Sequence, residues 1–255
     1  MLNIKDYKIV KLSCLAIVLL TVLSLTSCSS DDDSTPEPIT KANIIGSVSL
    51  YDEGITQVDN AYMTVKVEGT SPTISTTTDA NGNFTLTDVP FGTYTIVYEK
   101  VGYGTYKRFD IEHNNTGAST RIIGTPSLGQ VSTTQVDNLS ANVNGNDVVL
   151  SVSTNPVGNA GNTRYVRYFL STSSDVSDVN YTYFSPGLTS KINPKEITLT
   201  ASDLSNAGFT SGETVYVKVY GDSFWSSEYD DSDLSRKIFP NLNTTSANAV
   251  SFVIP

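Results

Sequence analysis

The run TTTDANGNFTLTDVPFGTYTIVY, residues 76–98, decides the fold of the first half of this chain. Its Asn81-Gly82 pair favours a tight hairpin turn, because both residues tolerate the positive φ that such turns require. On either side, apolar residues alternate with polar ones, and a period of two predicts strands with one buried face. The residues expected to face the core are Phe84, Leu86, Tyr94, Ile96 and Tyr98.

Further β-rich runs flank this segment and are separated by turn residues. They are Ile44 to Leu50, Met63 to Val67, Ile74 to Thr78 and Tyr106 to Ile111. Short strands at this spacing predict a β-sandwich over residues 43–128.

The same region resembles the carboxypeptidase regulatory-like domain. The resemblance is carried, in chain order, by Gly46-x-Val48, Val65-x-Val67, Thr78 to Phe84, Val89-Pro90-x-Gly92-x-Tyr94 and Gly102-Tyr103. It implies a transthyretin-like, carbohydrate-binding-like sandwich with an accessory role. Peptidase activity is not implied, since the zinc ligands of such peptidases come from a separate catalytic domain. The one histidine of this chain, His113, is expected in a polar loop over residues 112–115.

Residues 130–255 carry a second set of predicted strands. These are Val148 to Val152, Tyr165 to Leu170, Tyr181 to Phe184, Ile197 to Thr200, Val215 to Tyr220 and Val250 to Ile254. The pattern resembles a fibronectin type III domain, although Val152 and Val215 stand where that family usually has its core Trp and corner Tyr. Another immunoglobulin-like family would give a similar pattern. The fold class expected is all-β, with two tandem immunoglobulin-like or transthyretin-like β-sandwiches.

The N-terminus has the order of a secretory signal. Lysines precede an apolar stretch, and Leu25-Thr26-Ser27-Cys28 reads as a bacterial lipoprotein cleavage box. We therefore expect residues 1–27 to be a signal peptide and Cys28 to carry the lipid. The alternative is an uncleaved transmembrane helix, but the apolar run over residues 12–25 is shorter than the roughly 20 residues that a spanning helix needs.

Residues 28–42 are predicted to be an acidic, disordered linker. The residues after Cys28 resemble the export signal of Bacteroidota surface lipoproteins, and they are Ser29, Ser30, Asp31, Asp32 and Asp33. This resemblance implies a protein anchored by lipid in the outer membrane and displayed on the cell surface. The alternatives are a periplasm-facing protein and a plain solvated spacer.

Composition narrows the function classes. The formal net charge of -10 disfavours nucleic-acid binding. Both cysteines, Cys14 and Cys28, lie in the N-terminal region, so we expect no disulfide or cysteine-based metal site. One histidine leaves little material for a nucleophilic triad or a zinc site. The Asp79 turn lacks the Gly and Glu of a calcium loop at its sixth and twelfth positions. We expect no catalytic residue, cofactor or metal.

One segment of the second domain combines aromatic and acidic residues. Phe224, Trp225 and Tyr229 could stack on a sugar or anchor a protein partner. The alternative is that Phe224 or Trp225 folds inward and caps the sandwich. The neighbouring carboxylates are predicted to form one exposed, solvated loop, with a weak divalent-cation site as the alternative. They are Glu228, Asp230, Asp231 and Asp233.

Together these patterns predict a non-enzymatic lipoprotein of the cell envelope that acts as a surface binding or scaffolding module. The alternative is a glycan-binding accessory lipoprotein of a polysaccharide-uptake system. A hydrolase is a third class, but the sequence lacks a base and ligand residues in a suitable arrangement. The expected partners are the membrane, through the lipid, and either a glycan or an envelope protein.

Overall fold

The computed structural model describes residues 38–255 of the chain. Residues 40–255 form one compact unit, and its regular secondary structure is almost wholly β-strand. The expected signal peptide over residues 1–27, the expected lipid carrier Cys28 and the acidic run Asp31–Asp33 lie outside the described residues.

The first sandwich contains nine strands. They are β1 (Lys41–Ser47), β2 (Ser49–Tyr51), β3 (Thr64–Val67), β4 (Ser75–Thr77), β5 (Asn83–Pro90), β6 (Gly92–Glu99), β7 (Tyr106–His113), β8 (Thr120–Arg121) and β9 (Ser127–Gly129). One sheet has the order β4-β3-β6-β7 and the other has the order β5-β1-β8, while β2 pairs with β9 in parallel. These sheets confirm the predicted β architecture.

Alternation of side chains builds the core of the first sandwich. Phe84 and Leu86 of β5 are buried, and Val65 and Val67 of β3 face them from the same core. Ile96 and Tyr98 of β6 are buried as predicted, whereas Tyr94 is only partly buried against the same core, and a bulge interrupts the pairing of β6 with β7 between Tyr94 and Ile96. The hydrophobic pattern therefore places the core correctly in this half.

The second sandwich contains ten strands and a short helix. The strands are β10 (Gln135–Asn144), β11 (Asp147–Asn155), β12 (Arg164–Ser171), β13 (Tyr183–Phe184), β14 (Leu188–Ser190), β15 (Lys195–Leu199), β16 (Thr214–Asp222), β17 (Tyr229–Asp231), β18 (Arg236–Ile238) and β19 (Val250–Val253). One sheet has the order β10-β11-β15, and the other has the order β13-β12-β16-β19 with β14 also on β12. Strands β17 and β18 form a separate hairpin.

Strand β12 is buried along its whole length. Val166 and Leu170 face the main core between the two sheets. Phe169 faces the opposite way, into a smaller cluster with Tyr220 and Phe239. Loops therefore cover the outer face of this sheet, which gives a second apolar layer behind it.

Helix α1 (Ala201–Asn206) follows β15 and was not expected from the sequence. Thr200 caps its first turn, since the Thr200 hydroxyl accepts from the Asp203 backbone N–H and the Asp203 carboxylate accepts from the Thr200 backbone N–H. Among residues 38–255, no helix has the length and apolar character needed to cross a membrane.

The N-terminal boundary of the first sandwich differs from the prediction. Strand β1 begins at Lys41, inside the segment over residues 28–42 that was expected to be disordered linker. Lys41 lies opposite Pro90 of β5, and its ammonium forms an ion pair with Asp88 at 3.2 Å. Pairing with β5 thus orders the end of that segment.

Candidate ligand-binding site at the junction of the sandwiches

The aromatic segment, residues 223–229, leads from β16 into the hairpin of β17 and β18. Three hydrogen bonds to its backbone groups, one of them from the Asn241 side chain, fix it at the junction of the two sandwiches. The Phe224 N–H donates to the carbonyl of Glu53 in the first sandwich at 2.9 Å. The Trp225 carbonyl accepts from the Gly129 N–H at 3.2 Å and from Asn241 Nδ2 at 2.8 Å. The position of this segment therefore depends on both sandwiches.

The structure gives the three predicted aromatic residues different surroundings. Phe224 is 48% exposed. Trp225 packs on the ring of Tyr51 in the first sandwich, with the ring centroids 4.9 Å apart. Tyr229 packs edge-on against Tyr106 of the first sandwich at 5.6 Å. The segment thus presents Phe224 to solvent and uses the other two rings across the junction.

The backbones of the two sandwiches also approach each other closely. A Cβ added at Gly104 would lie 2.2 Å from the Pro240 carbonyl oxygen, and one at Gly129 would lie 2.5 Å from the Trp225 carbonyl oxygen. Any larger residue at either position would force the chain apart. The junction therefore requires glycine at both positions.

The buried guanidinium of Arg167 holds the end of the aromatic segment in place. Arg167 of β12 donates through Nε to Asp222 at 2.8 Å and through Nη1 to the Ser185 carbonyl at 2.9 Å. Its Nη2 forms an ion pair with Glu228 at 2.7 Å. Burial raises the pKa of the Asp222 carboxyl, and the neighbouring Arg167 guanidinium opposes that rise. Arg167 thus holds Glu228 at a fixed place beside Phe224.

A second ion pair closes the junction. Arg164 Nη2 donates to Glu53 Oε1 at 2.6 Å, and Arg164 Nε donates to the Thr134 hydroxyl at 2.9 Å. The same Glu53 carboxylate accepts from the backbone N–H of Thr133 at 2.7 Å. Glu53 therefore binds the second sandwich through its side chain and Phe224 through its backbone carbonyl.

Two grooves flank Phe224 and Glu228. The junction groove has a volume of about 240 Å³ and is lined by Trp225, Tyr106 and Leu128 on its other sides. The Tyr165 groove has a volume of about 340 Å³. Besides Phe224 and Glu228, its lining includes Tyr165, Arg167, Thr189 and Ser226. An aromatic face, hydroxyl groups and one carboxylate thus meet in a small concave surface.

The prediction that the four neighbouring carboxylates form one exposed loop is wrong. Glu228 pairs with Arg167, and Asp231 is buried in the β17–β18 hairpin, where its Oδ1 accepts from the backbone N–H groups of Asp233 and Leu234. Asp230 forms an exposed ion pair with Lys237 at 3.1 Å. Pairing of the hairpin strands separates these side chains, which a linear reading of the segment could not show.

The prediction for His113 is also wrong. It ends strand β7 and is completely buried, instead of lying in a polar loop. Its Nε2 lies 3.0 Å from the Val89 carbonyl and so donates to it, while Nδ1 lies 2.7 Å from the Thr120 hydroxyl. The imidazole is thereby committed to structural hydrogen bonds. Within residues 38–255, no group of three or more His, Cys, Asp or Glu side chains is arranged to hold a metal ion.

Sequence reasoning named Phe224, Trp225 and Glu228 but missed Glu53, Arg164 and Arg167. The available signal was the pair of arginines inside the run RYVRYFLS, residues 164–171. A charged residue in a strand that is otherwise apolar must find a buried partner. The partner of each arginine is distant in sequence and could not be named from the run alone.

Solved structures similar to this chain include three from Bacteroides. A proposed carbohydrate-binding protein of Bacteroides uniformis is 17% identical, with 84% of this chain and 99% of that chain covered and a TM-score of 0.29. A DUF3823 family protein of Bacteroides ovatus is 16% identical, with 84% and 100% covered and a TM-score of 0.30. A DUF3823 family protein of Bacteroides uniformis is 15% identical, with 84% and 100% covered and a TM-score of 0.27.

The sequence has no significant match among curated proteins. A family model matches a little over a third of the chain, and it covers strands β1 to β8 of the first sandwich. The resemblance predicted from the turn and strand residues is thereby confirmed: residues 33–123 match the carboxypeptidase regulatory-like domain.

Proposed function

We propose that this chain is a non-enzymatic binding module that recognises a saccharide in the Tyr165 groove, beside Phe224. One observation carries the proposal. Phe224 leaves about half of its surface in solvent, although its own backbone is fixed by Glu53 and its neighbour Glu228 is fixed by Arg167. A large apolar ring held rigidly at the edge of a groove is suited to contact a ligand.

The lining of the groove suits a sugar ring. Phe224 packs edge-on against Tyr165 at 5.7 Å, so the two rings form an aromatic corner. The apolar face of a pyranose can stack there, while its hydroxyl groups bond to Glu228, Ser226 and Thr189. A small number of polar groups at defined positions can orient the ligand, while the aromatic rings supply contact area.

The same geometry disfavours hydrolysis. A glycosidase needs two carboxyl groups that face each other across the bond to be cleaved, one of them protonated. Glu228 is bound to the Arg167 guanidinium, and Asp222 is buried beneath it on the same guanidinium and does not line the groove. The lining of the groove includes Glu228 but no second carboxyl group to complete such a pair, so the arrangement supports recognition of a ligand.

The site of action proposed is the outer surface of the cell envelope. The lipoprotein box ending at Cys28 and the acidic run Asp31–Asp33 support a lipid-anchored, surface-exposed protein. Metabolic labelling with an alkyne palmitate would test the anchor. Label should be lost in Cys28→Ser, and equal label in the variant and the wild type would overturn the assignment.

A glycan array, followed by isothermal titration of each saccharide bound, tests the ligand class with residues 38–255. Phe224→Ala should weaken binding by about tenfold, as loss of an aromatic anchor does, whereas Phe224→Tyr should retain it. Val143→Ala is a matched control, because Val143 is 52% exposed on β10 and does not line either groove. Binding that is unaffected by Phe224→Ala would exclude this groove, and an array without any bound saccharide would exclude the ligand class.

A further inference from the structure

A third groove lies on the first sandwich. It has a volume of about 470 Å³ and lies between the segment that leads into β3 and the turn from β6 to β7. Its two rims are formed by Tyr62 and Val101, and Tyr103 also lines it. We call it the Tyr62 groove. The ligand-binding residues predicted from the sequence, Phe224, Trp225 and Tyr229, do not line it.

Tyr62 has an unfavourable backbone conformation. Its φ is +64°, a region in which a bulky side chain is strained, and its side chain is 76% exposed. The other non-glycine residues of residues 38–255 with positive φ are Asp88, Asp110, Ser227 and Ser235, all of them small and polar. Burial in the core does not compensate for the strain at Tyr62. An exposed aromatic ring kept at such a position suggests a surface role.

The opposite rim is more exposed still and is fixed in place. Val101 is completely accessible at the tip of the turn. Next to it, the Lys100 ammonium donates to the Ala61 carbonyl at 2.6 Å and to the Asp59 carbonyl at 3.4 Å. These bonds attach the turn to the segment that carries Tyr62. The two apolar rims therefore keep a constant spacing, which lowers the entropic cost of binding between them.

The charged groups of the groove already have hydrogen-bond or ion-pair partners. Glu99 forms an ion pair with Lys66 at 2.8 Å, and Lys100 is bound to backbone carbonyls. The remaining polar groups include the hydroxyls of Thr64 and Thr105. A lining of exposed aromatic and aliphatic rims with hydroxyl groups favours a ligand that has both apolar faces and hydroxyl groups.

We propose that the Tyr62 groove is a second saccharide site. It is connected rigidly to the first, because the Tyr103 hydroxyl donates to the Tyr51 carbonyl at 3.1 Å and the Tyr51 ring packs on Trp225. Two sites on one rigid unit raise the effective concentration of a polymer at the second site once the first is filled. The chain thus prefers polysaccharides to short oligosaccharides, an extension that rests on the proposed function of the Tyr165 groove.

Affinity electrophoresis of residues 38–255 in gels that contain xylan, galactomannan, mixed-linkage β-glucan or pullulan tests the proposal. Tyr62→Gly should reduce retardation in the active gel at least threefold. The same variant should melt at an equal or higher temperature than the wild type, because glycine accepts a φ of +64° without strain. Tyr62→Asn is a second variant that also tolerates this φ and removes the ring.

Ile123→Ala is the control, because Ile123 is 84% exposed on the first sandwich and does not line the groove. Equal retardation of Tyr62→Gly and the wild type, together with loss in Phe224→Ala, would overturn the second site and leave the first. The converse result would support the second site and overturn the first. Absence of retardation in every gel would overturn both, and Tyr62-dependent self-association in sedimentation would assign the groove to a second copy of the chain.

Discussion

The interior of each sandwich and the junction between them are built by different interactions. The interiors are layers of Val, Leu, Ile and aromatic side chains that alternate along their strands. The junction uses the ion pair of Glu53 with Arg164, the backbone hydrogen bonds of residues 224 and 225, and the Trp225–Tyr51 ring contact. Apolar packing tolerates exchange between side chains of similar volume, whereas hydrogen bonds require particular partners at particular distances. The candidate ligand-binding site lies at the junction, where such directional contacts hold the side chains.

The largest effect is expected where a buried charge network joins the two regions. Arg167→Met should lower the free energy of unfolding by about 3–5 kcal/mol, because it leaves Asp222 buried without its guanidinium. Chemical denaturation followed by circular dichroism measures this loss. Lys237→Met removes an exposed pair and should cost less than about 1 kcal/mol. Equal losses of stability in the two variants would show that the buried Arg167 network contributes no more than an exposed ion pair.

The same variant has a characteristic pH dependence. Burial raises the pKa of Asp222 in the folded protein, and loss of Arg167 removes the group that opposes this rise. A raised folded pKa means that stability is lost as pH rises through it and is regained as pH falls. The deficit of Arg167→Met should therefore shrink in acid. A deficit that stays constant with pH would contradict the assignment to Asp222.

A smaller loss should follow removal of the ring that spans the junction. Trp225→Ala should lower the free energy of unfolding by about 2–3 kcal/mol, less than for a fully buried aromatic residue, because Trp225 is half-buried. Phe224→Ala, one residue earlier in the chain, should change it by less than about 0.5 kcal/mol. Thermal unfolding of the two variants measures the contrast. If both lose the same stability, the division of roles between the two rings is incorrect.

The ion pair of the junction should contribute less than the ring contact. Glu53→Gln should lower the free energy of unfolding by about 1–2 kcal/mol, since Arg164 is largely buried and loses its charged partner. Glu99→Gln breaks a more exposed pair in the same sandwich and serves as the comparison. Hydrogen exchange should show faster opening at residues 224 and 225 in Glu53→Gln. Unchanged hydrogen exchange at residues 224 and 225 would show that the Glu53 side chain does not hold the aromatic segment in place.

A small effect is expected away from the junction. Thr200→Ala should cost about 1 kcal/mol, as loss of a helix cap does, and should leave saccharide binding unchanged. The Thr200 hydroxyl lowers the pKa of Asp203, so this contribution is present above the ordinary pKa of Asp203 and is lost as pH falls through the folded value. Unfolding of both proteins across acidic pH measures it. A difference that grows in acid would contradict the cap.

Sequence patterns predicted the interiors better than the junction for a physical reason. Alternation is a local property, so Val65, Phe84 and Leu86 could be placed in a core without knowledge of their partners. Glu53 and Arg164 are 111 residues apart, and nothing in either neighbourhood indicates the other. Strand β10 was missed because the run QVDNLSANVN alternates weakly. His113 was misplaced because its polar neighbours suggested a loop, while its partners Val89 and Thr120 come from elsewhere in the chain.

The candidate site was predicted in composition but not in arrangement. The segment that contains Phe224, Trp225 and Tyr229 was identified because aromatic residues in a polar stretch are unusual. Their separation, with one ring exposed and two against the first sandwich, depends on Tyr51 and Tyr106. The Tyr62 groove gave no signal at all, because neither a positive φ nor a fully exposed Val101 can be recognised in a sequence.

The close approach at Gly104 and Gly129 has a consequence for the evolution of the chain. Tandem sandwiches are often shuffled as independent modules, which requires surfaces that tolerate a new neighbour. Here each of these glycines leaves room for one particular stretch of the other sandwich, at Pro240 and at Trp225. A substitution at either glycine would have to be accompanied by a change of backbone in the other half. The two sandwiches should therefore be inherited together and should recombine with foreign domains as a single cassette.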